Sequence, residues 1–281
     1  MIFDSHTHLF GPGHVTGAMR EACQRAWGEK HELIALPEDH QESIKDVDGA
    51  IVLAFDAPAT GTRVPNEYVS EYVSKHADRL FGFASVDPNN DLAPSILEDA
   101  VKNLHLSGLK LGPMYQNFYP DDKKHFALYA KANELDIPIL FHQGTSFVPE
   151  GFLDASRPAA LDPIARAFPD LKIIIAHMGH PWVGECISVV RKNPNMYMDL
   201  SALGGRPWQY YNAMVLAMEY GVTHKIFLGS DFPFFTITQT IDTLWEINDV
   251  VEGTKMPKIP DHIIEDIIHR NVPGILKLRK G

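Results

Sequence analysis

Eight short, predominantly apolar runs punctuate the chain, and their continuity constrains the fold more than any other feature. They cover residues 1–5, 50–55, 80–86, 108–111, 137–141, 171–176, 196–200 and 225–229. A strand with one wet face alternates apolar and polar residues. A strand that is apolar throughout is buried on both faces, as in a parallel sheet covered by helices. Stretches of helical periodicity lie between most of the runs, at residues 94–104, 123–135, 160–168, 184–191 and 208–220. Strand then helix, repeated, is the pattern of parallel βαβ units. Eight such units in 281 residues fit an α/β fold of one closed (β/α)8 TIM barrel, residues 1–281, better than an open sheet. Residues 237–250 and 261–268 would complete the helical ring.

Four connections are long or rich in aromatic residues: 10–47, which has room for an extra helix near 17–26, and 143–162, 201–211 and 232–236. All four leave from strand C-termini, the end of a barrel where active sites are built.

Composition narrows the function. The net charge of −11 gives no general attraction for nucleic acid or anionic membranes. The one short basic stretch, Lys277, Arg279 and Lys280, reads as a solvated end. Two cysteines without CxxC spacing argue against a disulfide framework or a zinc ribbon and fit a reducing compartment. No signal peptide or run of 18 apolar residues is visible, so the cytoplasm is the expected location. The expected partner is a small-molecule substrate, and a homodimer is compatible with the sequence. No Walker loop, serine-nucleophile elbow or HExxH occurs.

The chemistry begins at Asp4-Ser5-His6-Thr7-His8, the end of the first run. Residues two apart in a strand share a face, so His6 and His8 can turn inward together and bind one cation. Neutral imidazoles suit zinc and related transition metals. Asp4 has the same parity and is expected to orient the pair from deeper in the barrel. His142 ends the fifth run, His177 the sixth and Asp231 the eighth. A closed barrel would gather all five groups at one end. Three or four nitrogen and carboxylate ligands with one open position describe a catalytic metal site rather than a structural one.

These motifs carry a resemblance. DSHTH on the first strand, FHQG after the fifth, AHMGHPW after the sixth and GSDFPF after the eighth resemble the amidohydrolase superfamily, over nearly the whole chain. The branch most similar is amidohydrolase 2, which includes the aminocarboxymuconate-semialdehyde decarboxylase-like enzymes. The resemblance implies one divalent ion, zinc first and manganese second, held by His6, His8, His142 and Asp231. It implies that His177 acts on the substrate or its water, although related enzymes use the equivalent histidine as a ligand. Asp231 would also accept a proton.

Lys110 lies at the end of the fourth strand, Gly108-Leu-Lys-Leu-Gly112, and in binuclear relatives a carboxylated lysine bridges two metals. In the mononuclear branch it would meet a substrate anion or pair with a neighbouring carboxylate. His180 would shape the site. Arg157 and Arg206, with Arg63, are the arginines placed to clamp a substrate carboxylate. Phe10, Tyr115, Phe147, Trp182, Trp208 and Phe232 are candidates for an aromatic wall, and most of the other histidines read as surface residues.

The leading expectation is a metal-dependent hydrolase of an amide or ester (lactone) bond in a small carboxylated compound. The alternative is a nonoxidative decarboxylase of an aromatic or muconate-like acid. His6 at the first ligand position matches the muconate-semialdehyde type rather than the benzoate-type enzymes with glutamate there. A noncatalytic binder on a degenerate barrel would have lost one of these strand-end groups.

Overall fold

A computed structural model describes residues 1–279, so Lys280 of the basic stretch lies outside the described residues. Eight strands run in sequence order around one parallel sheet: β1 Phe3–His8, β2 Gly49–Leu53, β3 Leu80–Ser85, β4 Gly108–Leu111, β5 Ile139–Phe141, β6 Ile173–Ile175, β7 Met196–Asp199 and β8 Ile226–Phe227. Each pairs in parallel with the next. The seam between β8 and β1 closes through Ser5 N to Leu228 O at 2.9 Å, Asp231 N to His6 O at 2.8 Å and His8 N to Phe232 O at 2.8 Å. The expected barrel is therefore present, with its first strand inside the sheet.

Alternate residues of the strands separate two apolar layers. Ile51, Leu53, Phe81, Phe83, Leu140, Ile174 and Phe227 face one another inside the barrel, where Val272 and Leu276 of the C-terminal helix Val272–Leu276 join them. Ala50, Val52, Leu109, Leu111, Ile139, Phe141, Ile173 and Met198 point outward against the helices. This alternation decides which polar residues reach the interior. Leu109 and Leu111 face out, so Lys110 faces in; Met196 and Met198 face out, so Asp199 faces in. In β1 the register shifts between Asp4 and Thr7. Phe3 can thus pack in the lower interior while His6 and His8, of opposite parity, also turn inward.

The periodic segments form helices close to their expected bounds, among them Ala93–Lys102, Val183–Lys192, Pro207–Glu219 and Asp261–Ile268. The long first connection carries Gly17–Trp27 and Pro37–Ser43. A two-stranded antiparallel hairpin, Phe55–Ala57 with Thr62–Val64, follows β2 and has no counterpart in the sequence reading. One strand end differs from expectation. β6 stops at Ile175, and His177 lies in the short 3-10 turn Ala176–Gly179, with φ 58°. Among the described residues, no helix is long and apolar enough to cross a membrane.

Candidate metal centre and cavity

His6 is the hub of the site. Its Nε2 lies 3.2 Å from His8 Nε2, 3.4 Å from Asp231 Oδ1 and 3.2 Å from Lys110 Nζ. Asp231 Oδ1 is 3.5 Å from His8 Nε2. One ligand atom each from His6, His8 and Asp231 falls within 4.8 Å of the others. Burial lowers the pKa of both histidines well below the usual imidazole range, with the charge of Lys110 adding to it. Both rings are therefore neutral, the form that ligates metals. Burial pushes Asp231 well above the usual carboxylate range and pulls Lys110 down to about 8. The two groups oppose each other's shifts, because each charge favours the other.

His142 sits beside this trio, outside it. Its Nδ1 is 3.1 Å from His177 Nε2, its ring meets that of Tyr115 edge-on at 4.8 Å, and its Nε2 is buried with no hydrogen-bond partner. That orphaned nitrogen and the crowding of His6 Nε2, His8 Nε2 and Asp231 Oδ1 fit a cation. Lone pairs packed this closely away from water are costly unless something positive lies among them. The residues present thus suit the divalent ion that the sequence led us to expect.

Backbone geometry contributes. Asp231 and His177 both hold positive φ, 66° and 58°, a conformation L-residues adopt only when the surroundings impose it. Asp231 is held by its N–H on His6 O and by its carbonyl under Phe234 N, both from elements that close the barrel. His177 donates its backbone N–H to Asp199 Oδ1 at 3.0 Å, and its Nδ1 lies 3.0 Å from the carbonyl oxygen of Ser201. Burial lowers its pKa to about 4, with Asp199 opposing.

Two expectations about supporting groups need correction. Asp4 does not touch either imidazole. It accepts the backbone N–H groups of His6 (3.2 Å) and Ser230 (2.9 Å), and so pins the β1–β8 seam, while burial pushes its carboxyl up to about 7. The ring of His6 is instead held by Asp199, whose Oδ2 lies 3.0 Å from His6 Nδ1. Asp199 escaped the sequence reading because it sits inside the apolar run of the seventh strand rather than at its polar end. Its parity relative to Met196 and Met198 was the available signal. His40 and His125 are buried, not surface residues.

Above the cluster opens a cavity of about 590 Å³. Its floor comprises His8, Lys110, His142, His177 and Asp231, and its walls hold Phe10, Trp27, Phe55, Tyr115, Phe147, Phe234 and Phe235. All four long connections reach it, through Met19 and Leu33, Thr145 and Ser146, Ala202 and Gly205, and Phe234. Of the expected wall, Phe10, Tyr115 and Phe147 line the cavity, whereas Trp182, Trp208 and Phe232 do not. Arg206 and His180 line it too, and the charge of Arg206 helps to lower the His180 pKa. Arg157 turns away. It pairs with Glu185 and stacks over the Trp182 ring at 5.9 Å. Arg63 is exposed, 4.0 Å from Asp56.

Comparison with known proteins follows the same lines. The family model Amidohydro_2, described as amidohydrolase, matches residues 3–271. No curated protein matches the sequence. Among solved structures, an uncharacterized TIM-barrel protein from Bordetella bronchiseptica is similar at 18% identity, with 98% of each chain covered and a TM-score of 0.73. A dihydroxybenzoic acid decarboxylase from Polaromonas, with bound manganese and the inhibitor 2-nitroresorcinol, is similar at 18% identity over 98% of this chain and 96% of that one, TM-score 0.67. A probable 2-pyrone-4,6-dicarboxylic acid hydrolase from Acinetobacter baumannii, with citric acid bound, is similar at 14% identity over 99% of each, TM-score 0.69. At these identities the likeness is one of fold.

Proposed function

Because the chain belongs to the amidohydrolase-2 family, we propose that it is a metal-dependent carboxy-lyase that removes CO2 from a small, flat, unsaturated acid. The observation that carries this reading is the shape and chemistry of the cavity: seven aromatic side chains walling a slot whose floor holds His8 and Asp231 of the candidate trio, His142, His177 and a buried lysine. Aromatic walls accept a planar ring and exclude water. With a divalent ion bound beside Lys110, that desolvated floor would carry positive charge and draw the acid group of the ring downward.

His6, His8, His142 and Asp231 would hold the ion. When bound, zinc or manganese supplies a Lewis acid that draws electron density from a substrate oxygen. Lys110, beside His6 Nε2, offsets the charge of the substrate carboxylate. His177 is neutral at the cavity floor, and its Nε2, 3.1 Å from His142 Nδ1, would exchange that hydrogen bond for one from a ring hydroxyl when substrate enters. Asp231, on the cavity floor, would pass to the vacated carbon the proton that replaces CO2 and regain one from solvent. Arg206 and His180 meet a second acidic group farther up the slot.

Hydrolysis of an ester or lactone is the second reading, favoured by Asp231. Its carboxylate both joins the trio and opens on the cavity, where it could take a proton from water. The test supplies the metal-loaded protein with hydroxybenzoates bearing one or two carboxylates, and separately with pyrone and lactone acids. Release of CO2, with solvent deuterium at the vacated carbon, is the expected result. Ring opening with no CO2 from any acid would replace the carboxy-lyase reading with the hydrolase one.

A further inference from the structure

The hydrogen-bond contacts around Asp199 set a proton on a defined nitrogen of three histidines. His177 Nδ1 faces a backbone carbonyl, Ser201 O, at 3.0 Å. A carbonyl only accepts, so His177 Nδ1 carries hydrogen. Ser201 Oγ also lies 2.7 Å from His177 Nδ1 and contacts Asp199 Oδ1. The hydroxyl therefore gives its one proton to Asp199 and accepts from His177. Asp199 Oδ1 takes two further donors, the backbone N–H groups of His177 and Ser201, each at 3.0 Å. Asp199 Oδ2 faces His6 Nδ1 at 3.0 Å, so that nitrogen is N–H as well.

The neutral His177 ring then has a bare Nε2. Its neighbour at 3.1 Å, His142 Nδ1, must donate to it. A neutral His142 with hydrogen on Nδ1 has its lone pair on Nε2, the buried atom that has no partner. The same logic bares His6 Nε2, which faces the Lys110 ammonium at 3.2 Å.

We infer that Asp199, acting directly on His6 and through the Ser201 backbone, whose N–H it holds and whose carbonyl meets His177 Nδ1, on His177 and His142, is the positioning residue of the site, holding all three rings in the Nδ1–H form so that Nε2 of His6 and of His142 is free to bind the ion. Asp199 touches neither the cavity nor the trio's convergence point; it acts through the rings. Asn in its place presents an acceptor on one side and an NH2 on the other. One orientation sets NH2 against the Ser201 hydroxyl and two N–H donors. The other sets it against His6 Nδ1 and drives that ring to the Nε2–H form, with the ligating nitrogen blocked.

The proton assignment stands without the metal-dependent reading; only its consequence for affinity rests on it. The experiment therefore has two arms. In the first, 15N-histidine NMR of the wild-type protein, metal-free and zinc-loaded, reads which ring nitrogen of each histidine carries hydrogen, with single His→Gln variants supplying assignments. Nδ1–H is expected for His6, His142 and His177 in both forms, and an Nε2–H form for any of them would overturn the inference. In the second arm, zinc affinity is measured by competition with a chelator. Asp199→Asn should weaken it roughly 10- to 100-fold, the scale seen for the outer partners of ligating histidines, while its unfolding remains cooperative. Ser201→Ala leaves the Asp199–His6 contact and the Ser201 carbonyl in place, and should stay within about threefold of wild type on that same scale. Asp199→Asn at wild-type affinity with the His6 signal unchanged would also overturn it. Should Asp199→Asn fail to fold, the wild-type spectra still decide. A wild-type protein that shows all three Nδ1–H signals but binds no zinc would sustain the proton assignment and remove the metal-dependent reading instead.

Discussion

Asp231 and His177 face the same cavity floor, yet substitution should separate them. Asp231→Asn keeps the shape but removes the charge that offsets a cation's and the base that takes a proton. It should abolish turnover and weaken metal binding together. His177→Asn removes a ring that contacts His142 and Ser201 but lies outside the His6, His8 and Asp231 trio. It should retain most of the metal and lower turnover roughly 10²-fold or more, as expected for a lost acid–base group. Metal content and single-turnover rate, measured on both variants, would make His177 a ligand if its variant lost the ion as readily as a His6 variant. A second expectation concerns the trio itself. Elemental analysis after mild dialysis should find close to one ion per wild-type chain and almost none in a His6→Ala, His8→Ala double variant; full metal content there would sink the assignment. These groups were legible because a polar side chain closing an apolar strand stands out against its neighbours. Asp199 was hidden by the Leu200 that follows it. His40 was hidden differently: it lies in the short helix Pro37–Ser43, whose other residues give no sign of a buried face.

At the scale of elements, the βαβ rhythm survived translation into structure because continuous burial leaves a continuous apolar run. Strand ends survived less well. β8 spans two residues, since its C-terminal side is already bending to place Asp231. The Phe55–Ala57/Thr62–Val64 hairpin was illegible, as its strands are three residues each and too short to show a period. Its role is to hold the first connection over the cavity. Gly61 O accepts from Thr16 N at 2.7 Å, Thr60 O from Met19 N at 2.8 Å, and Arg63 N donates to His14 O at 2.7 Å. Met19 and Trp27 of the helix so anchored line the cavity. Gly61 has φ 86°, and a Cβ there would collide with the Thr16 carbonyl oxygen. Gly61→Ala should therefore cost about 1–3 kcal/mol, the usual range for an L-residue forced into this conformation, and loosen that helix. Limited proteolysis should cut faster between residues 11 and 36, and substrate KM should rise more than kcat falls. Unchanged proteolysis would show that the hairpin is not the anchor.

The whole molecule carries a pH response that originates outside the His6, His8 and Asp231 trio. His40 is fully buried and joins four elements. Thr7 of β1 gives its hydroxyl proton to Ile51 O of β2 at 2.6 Å, so its oxygen accepts from His40 Nε2 at 2.8 Å. Tyr72 of the helix Asn66–Ser74 receives a proton from Gln41 Nε2 at 2.6 Å and donates its own to His40 Nδ1 at 2.7 Å. Every position on the neutral ring is satisfied, and a second ring proton would face the Tyr72 O–H. Burial, helped by the charges of Arg79 and His76, lowers the His40 pKa to about 3. Unfolded, the ring titrates near its ordinary value of about 6.5. Between these values the unfolded chain binds the extra proton, so the contribution of His40 to stability is complete above about 6.5 and is lost as pH falls toward 3. One such group is worth up to about 1.4 kcal/mol per pH unit. Asp4 works in the opposite direction over part of this range, because its folded pKa of about 7 lies above its unfolded one. Comparison with His40→Gln removes that complication, since Asp4 and the other buried histidines are common to both proteins. The variant should be the less stable at pH 7, having lost the Thr7 and Tyr72 bonds. Its deficit should shrink by about 2 kcal/mol on going to pH 5, read from urea midpoints across the interval. A deficit that stays constant from pH 7 to pH 5 would mean that His40 takes up its proton in the folded barrel as readily as in the unfolded chain, and that the network linking β1, β2 and the two helices does not hold the ring neutral.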